Sequence, residues 1–266
     1  LHAIVCIKQV PDTTEVKIDP VRGTLIREGV PSILNPFDTY AIEEALRLKE
    51  QFGGKVTAIS MGPPQAIEVL KEAVAMGCDE AILLSDRAFA GSDTWATAYT
   101  LSQAIRRLGP FDIIFCGRQA IDGDTGQVGP GIARQLKINQ LTYVCKIQHI
   151  DFDKGEIRVE RLLEEGREVV ESRLPALLTV VKDINQPRYP TFKGIRRASR
   201  MEYPIWTAKD LEGANPAYFG LDGSPTRVVR VFTPPPRSGQ TEIIQGETVQ
   251  EQAAKLVEKL LAEKII

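Results

Sequence analysis

Histidine is scarce in this chain and paired cysteine is lacking. Its 266 residues include two His and four Cys, and the cysteines, at 6, 78, 116 and 145, form no Cys-x-x-Cys pair. With His2 and His149 as the only imidazoles, a zinc or iron–sulfur site has almost no ligands to draw on. Cys6, Cys116 and Cys145 sit inside apolar, strand-like runs, so buried free thiols are expected. An excess of either charge is lacking too. The 33 Lys and Arg against 35 Asp and Glu leave a net charge of −2, without the basic surplus of a nucleic-acid binder. Long apolar runs are absent: the stretches at 175–181 and 81–84 fall far short of the roughly 20 residues that span a bilayer. The opening LHAIVCIKQV has neither the apolar core nor the cleavage site of a secretory signal. A cytoplasmic protein with no membrane span and no nucleic-acid partner is expected. There is no GxSxG elbow, no HExxH, no Cys with a plausible nearby His and no carboxylate pair singled out by spacing. No catalytic or metal-ligating residue is therefore assigned, and any redox chemistry falls to a bound cofactor.

What is present is an alternation of short β-rich runs with helical patterns, the mark of an α/β fold with a parallel sheet under helices. Residues 3–7 form a first strand, and PDTTEVKIDPVRG at 11–23 suggests a small hairpin. A helix follows with both ends marked: Asn35 as N-cap, Pro36 at the first helical position, Asp38 in the first turn and Gly53 with Gly54 at its end. A strand at 55–60, a helix to Gly77, a strand at 81–84, a helix over 93–108 and an apolar interior strand at 112–116 complete four β–α pairs in about 135 residues. Beyond Gln140 come strands without long helices, LTYVCKIQHIDF, EIRVERLLE, REVVESRL and PALLTVV, read as an antiparallel addition. From 185 to 246 the chain is dense in Pro and Gly and without periodicity, a pattern of a segment that extends along something. It ends in a helix over 248–266, where Thr248 and Glu251 form a capping-box pattern and Val249, Ala253, Leu256, Val257, Leu260 and Leu261 an apolar stripe. That stripe serves either the chain's own core or a partner. The division expected is an α/β domain at 1–185 and an arm at 186–266.

The segment after the 112–116 strand, GRQAIDGDTGQVGPGIARQL, carries glycines at 117, 123, 126, 129 and 131. It lies at the carboxyl end of a parallel strand, where open sheets bind ligands. Its free backbone N–H groups, and the helix it enters, suit a phosphate, with Thr125 and Gln127 as side-chain donors. Asp122 and Asp124 orient the loop or bind ribose hydroxyls. The plain alternative is a flexible surface loop, since this is neither the GxGxxG fingerprint nor a Walker loop. Cys6, Met61 with Gly62, and residues 35–38 end or begin elements at the same edge. A second cluster, PRYPTFKGIRRASR, supplies Arg188, Lys193, Arg196, Arg197 and Arg200 around an apolar Phe192, either a solvated loop or a dock for an acidic protein.

These motifs resemble the β (small) subunit of electron transfer flavoprotein over nearly the whole length: NPFD at 35–38 with its helix, SMGPPQ at 60–65, GRQAIDGDTGQVGP at 117–130, LPALLTV at 174–180 and NQPRYPT at 185–191. The resemblance implies a heterodimer with a larger α subunit, a Rossmann-like domain of adenine nucleotide-binding type, and a C-terminal arm that embraces the partner. It implies a nucleotide site at Cys6, Asn35, Pro36, Phe37, Asp38, Met61, Gly117, Gln119, Ala120, Asp122, Gly123, Asp124, Thr125, Gly126, Gln127, Val128, Gly129 and Pro130. Ordinary members bind AMP there, with the FAD mainly on the α subunit. DGDTGQVGP is instead similar to electron-bifurcating members, which hold a second FAD in its place, although Gly126 replaces their usual Ala. In those members the flavin takes a hydride from NADH and divides the electrons between ferredoxin or flavodoxin and, through the α-subunit FAD, an acyl-CoA or lactate-type dehydrogenase. Phe192, Arg196 and Arg197 correspond to the family's recognition loop, where ordinary members carry Leu at the Phe192 position.

Overall fold

The computed structural model describes residues 1–12, 31–229 and 241–266. Along the chain run β1 (His2–Ile7), β2 (Gln9–Pro11), β3 (Ser32–Leu34), α1 (Pro36–Phe52), β4 (Lys55–Met61), α2 (Ile67–Met76), β5 (Glu80–Leu84), α3 (Thr94–Leu108), β6 (Ile113–Gly117), α4 (Val128–Leu136), β7 (Asn139–Asp151), β8 (Glu156–Leu163), β9 (Gly166–Arg173), β10 (Ala176–Val180), α5 (Phe192–Ala198), β11 (Ile205–Trp206) and α6 (Val249–Ala262). One compact unit covers 1–230 and a second 231–266. Nine strands form one sheet in the order β11-β5-β4-β1-β6-β10-β7-β8-β9, while β2 and β3 pair separately and antiparallel. The hairpin expected over 11–23 lies, beyond its first two residues, outside the described residues.

The strands from β11 to β7 run parallel, and β7, β8 and β9 form an antiparallel meander at one edge. Alternation along β1 sorts the two faces. Ala3, Val5 and Ile7 join Ala41, Ile42 and Ala45 of α1 and Val69, Leu70 and Ala73 of α2. Ile4 and Cys6 join Leu101, Ala104 and Ile105 of α3 and Ile132 and Ala133 of α4. The mixed α/β architecture with an antiparallel addition is as expected from the alternation of strands and helices. β10 is a correction: it belongs to the parallel sheet, inserted between β6 and β7. Its residues Ala176–Val180 are all buried, and a strand covered on both faces reads as a continuous apolar run.

The Pro- and Gly-rich segment from 186 to 229 is not without structure. Thr191 caps α5, accepting from the Gly194 N–H at 3.0 Å, and Gly194 approaches α2 so closely that a Cβ would stand 2.1 Å from the Ala75 carbonyl oxygen. β11 extends the sheet beyond β5. Arg188 reaches back to Glu43 of α1, 2.7 Å from Nε to carboxylate. In the second unit, the Thr248 hydroxyl accepts from the Glu251 N–H at 3.2 Å, while the Glu251 carboxylate accepts from Glu247 rather than from the cap residue itself.

Candidate functional site

From β1 the chain builds outward on one side through β4 and β5, then crosses through α3 to β6 on the other side. The order reverses between β1 and β6, the place where open sheets of this kind form a ligand crevice outside the strands' carboxyl ends. Cys6 and Cys116 are register partners on these strands. Met61, half-buried, ends β4 beside β1. The amino end of α1 and the loop 118–127 meet at the same place.

Asn35 and Asp38 hold this edge together. Asn35 stands at the N-cap position of α1 but makes no side-chain cap. Its amide donates to the Gln119 carbonyl at 2.9 Å and accepts from the Ile121 N–H at 3.2 Å. The expected cap is thus corrected: the side chain is engaged by the loop instead. The buried Asp38 carboxylate accepts from Lys8 N–H at 2.8 Å and Gly117 N–H at 3.2 Å, joining the ends of β1 and β6. Burial pushes its pKa up to about 7, against hydrogen bonds from Asn35, Lys8 and Gly117 and the Lys8 charge. The carboxylate explains Gly117, where a Cβ would stand 2.4 Å from Asp38 Oδ1 and 2.7 Å from Phe37. On the opposite sheet face the Cys116 thiol is pushed well up, by hydrogen bonding to Cys6, by burial and by the neighbouring charges. All four cysteines are buried and unpaired.

The loop is tied down at several points. Lys8 Nζ pairs with Asp122 at 2.7 Å. Gln119 donates to the Asp124 carboxylate, and the Asp124 N–H to the Ala120 carbonyl at 2.8 Å. Both aspartates orient the loop. Thr94, in the first turn of α3, donates to Gln127 Oε1 at 3.0 Å. Gly129 serves packing, because a Cβ there would lie 2.6 Å from the Thr179 methyl of β10. Gly123 is different: nothing lies within 4 Å of a Cβ built on it. Gly123 and Thr125 are exposed, and Pro36 is too, while Phe37, Gln119, Ala120, Gly126, Val128 and Pro130 are half-buried.

Val128 and Gly129 open α4, which has no side-chain cap. Their orphan N–H groups, with the exposed Thr125 hydroxyl, form a donor set that fits a phosphate, and the space around Gly123 is open. Lys8, Thr94 and Thr179, which touch the loop or the first turn of α4, were missed in the sequence. Lys8 carried a usable signal, being the first charged residue after an apolar strand. A concavity of about 570 Å³ lined by Leu1, His2, Gly54, Lys55, Pro110, Phe111 and Asp112 lies at the opposite, amino edge of the strands, away from these donors.

Phe192, Arg196 and Arg197 lie apart from the crevice, on α5. Phe192 is 94% exposed. Arg197 is turned inward and donates to the Cys78 carbonyl, and Arg188 is committed to Glu43 and Glu50. Among the described residues Lys193, Arg196 and Arg200 make no ion pair.

A family model described as the electron transfer flavoprotein domain matches residues 22–211. Over the full length of both chains, this protein is 56% identical to an electron transfer flavoprotein subunit beta of Thermoanaerobacterium thermosaccharolyticum. It is 51% identical, again over both full lengths, to the caffeyl-CoA reductase-Etf complex subunit CarD of Acetobacterium woodii. Protein FixA of Azotobacter vinelandii is 48% identical over 92% of this chain and 89% of its own. With a sheet that reverses at β1 and β6, a loop-and-helix edge suited to a nucleotide, and relatives of this identity along its whole length, the chain belongs to the electron transfer flavoprotein family, as a β subunit.

Proposed function

We propose that this β subunit is of the electron-bifurcating kind and binds FAD in the β1/β6 crevice. The observation that carries the reading is the loop DGDTGQVGP, with open space at Gly123 and uncapped N–H groups at the start of α4. The name of the Acetobacterium woodii relative, a reductase-Etf complex subunit, supports it. When bound, the FAD would accept a hydride from NADH and release the electrons singly, to ferredoxin or flavodoxin and, through the α-subunit FAD, to an acyl-CoA or lactate-type dehydrogenase. This chain's residues bind and orient: the α4 amino end and Thr125 hold phosphate, Asn35 and Asp38 fix the loop and strand ends, and Phe192 with Arg196 meets the dehydrogenase. The arm and α6 engage the α subunit.

The second reading is an ordinary carrier with AMP in the crevice and no reaction with NADH. The donors at α4 suit the phosphate of either ligand. Flavin content and anaerobic titration of the purified heterodimer separate the two. Two FAD per heterodimer, reduced by NADH, support bifurcation; one FAD with one AMP and little reduction by NADH would overturn it.

A further inference from the structure

Four non-glycine residues among those described have positive φ, and three of them, Asp124, Lys137 and Lys264, lie in a loop or just past a helix. The fourth is Tyr143, at φ 58° inside β7. A bulky residue in that region is a true outlier, and bulges next to functional sites re-aim side chains. The β10–β7 register shifts here, between Leu178 and Val180. The distortion is held from two sides. The Tyr143 N–H donates to Thr179 Oγ1 at 3.2 Å, and Arg161 grips Thr142, donating to its carbonyl at 2.7 Å and its hydroxyl at 2.9 Å.

The bulge presents the Tyr143 ring to Arg118, whose guanidinium carbon lies 5.0 Å from the ring centroid. Arg118 follows β6 directly, its N–H tied to the Val180 carbonyl at 2.9 Å. Among the described residues its guanidinium has no acceptor, unlike those of Arg161, Arg188 and Arg197. A cation stacked on an aromatic face keeps its N–H edges free for a planar or tetrahedral oxyanion. Thr179 connects this pair to the crevice, because its hydroxyl receives Tyr143 while its methyl packs on Gly129 in the first turn of α4. The Arg118 carbonyl lies 3.4 Å from a Cβ built on Gly126, at the entry to the same helix.

We propose that Tyr143 is a positioning residue, a shelf for Arg118, and that the Arg118 guanidinium binds a phosphoryl oxygen of the nucleotide seated at the amino end of α4. This rests on the nucleotide-binding reading above. The test is calorimetric titration of the nucleotide-stripped heterodimer with AMP and FAD, alongside the phosphate-free adenosine and riboflavin. Arg118→Gln weakens AMP and FAD by roughly 10- to 100-fold, the range of a hydrogen bond to a charged group, and changes adenosine and riboflavin less than about twofold. Arg118→Lys, with charge but no fork, falls between. Tyr143→Phe binds as the wild type does, whereas Tyr143→Leu loses roughly two- to fivefold, again only for phosphate-bearing ligands. Equal losses with and without phosphate, or unchanged binding in Arg118→Gln, overturn the proposal while leaving the nucleotide reading in place. A wild type that binds neither AMP nor FAD overturns both.

Discussion

Replacing Asp38 by Asn tests whether a buried carboxylate joins the strand ends on either side of the crevice. Its pKa stands at about 7 against a reference of 3.8, because burial outweighs the N–H groups of Lys8 and Gly117, the Asn35 amide and the Lys8 charge. The sign follows from proton counting. Between the two values the folded protein keeps the proton and the unfolded chain has lost it, so stability falls as pH rises through this window. The full span of about 3 units corresponds to roughly 4 kcal/mol, and the part between pH 5 and pH 8 to roughly 2–3 kcal/mol. Asparagine, of nearly the same shape, does not titrate. At pH 5 it resembles the protonated acid, at a cost of about 1–3 kcal/mol if its NH₂ faces one of the two N–H donors. Urea unfolding of wild type and Asp38→Asn at one fixed heterodimer concentration, from pH 5 to 8, reads the difference. The variant gains roughly 2–3 kcal/mol relative to wild type across that range. A difference that stays constant with pH would refute the reasoning, because the carboxyl would then ionise alike in both states.

Gly117→Ala places a methyl within 2.4 Å of Asp38 Oδ1 and lowers stability by about 1–3 kcal/mol. Gly123→Ala, with nothing within 4 Å of the added carbon, leaves the unfolding midpoint within about 0.5 kcal/mol of wild type; equal midpoints for the two variants would contradict the geometry. Arg188→Met leaves the buried Glu43 carboxylate, whose side chain is 5% exposed, with Arg47 at 3.1 Å as its remaining ion partner, and costs about 1.5–3 kcal/mol in urea unfolding at pH 7. That loss shrinks as acid protonates Glu43, where the Arg188 hydrogen bonds and charge overcome burial to hold the pKa below the usual value. Phe192→Ala slows electron transfer to the dehydrogenase while flavin content and unfolding midpoint stay unchanged; flavin loss with unaltered transfer would reverse the assignment. Leu256→Glu with Leu261→Glu on α6 weakens association with the α subunit, read by gel filtration, and an unchanged elution profile would count against α6 as a docking helix.

Local signals were legible where the chemistry was local. The helix α1 declared itself through Pro36, Asp38 and the Gly53–Gly54 stop, and the loop at 117–131 through its glycines and its place after an apolar strand. Long-range pairing was hidden. The Asn35 side chain suits an N-cap on sequence grounds, but its partners Gln119 and Ile121 lie more than 80 positions away. β10 followed three strands of a meander and so resembled a fourth, although its unbroken Ala176–Val180 run was the mark of a doubly covered parallel strand. Gly117 and Gly129 looked like phosphate-binding glycines, yet each is required by a neighbour from elsewhere in the chain, Asp38 and Thr179. The bulge at Tyr143 had no signal at all, since it depends on hydrogen bonds from β8 and β10.

The second unit contains a helix whose energetics are incomplete within that unit. α6 has 14 residues and none of them is buried, and isolated helices shorter than about 12–15 residues are marginal in water. Its Thr248 cap contributes about 1 kcal/mol, too little to offset the ordering of the backbone. The apolar stripe offers more: Val249, Leu256, Val257 and Leu261 are all exposed, and burying each against a partner stabilises by about 1.5–3 kcal/mol. Within its own unit the stripe is therefore left uncovered. Membership of the electron transfer flavoprotein family as a β subunit implies an α-subunit partner. Val228 and Val229, at 78% and 94% exposed, add apolar area of the same kind. The strand edge at β1 and β6 is fixed from within the chain, by Asp38 against Gly117 and Thr179 against Gly129, whereas the α6 stripe is left uncovered by its own unit.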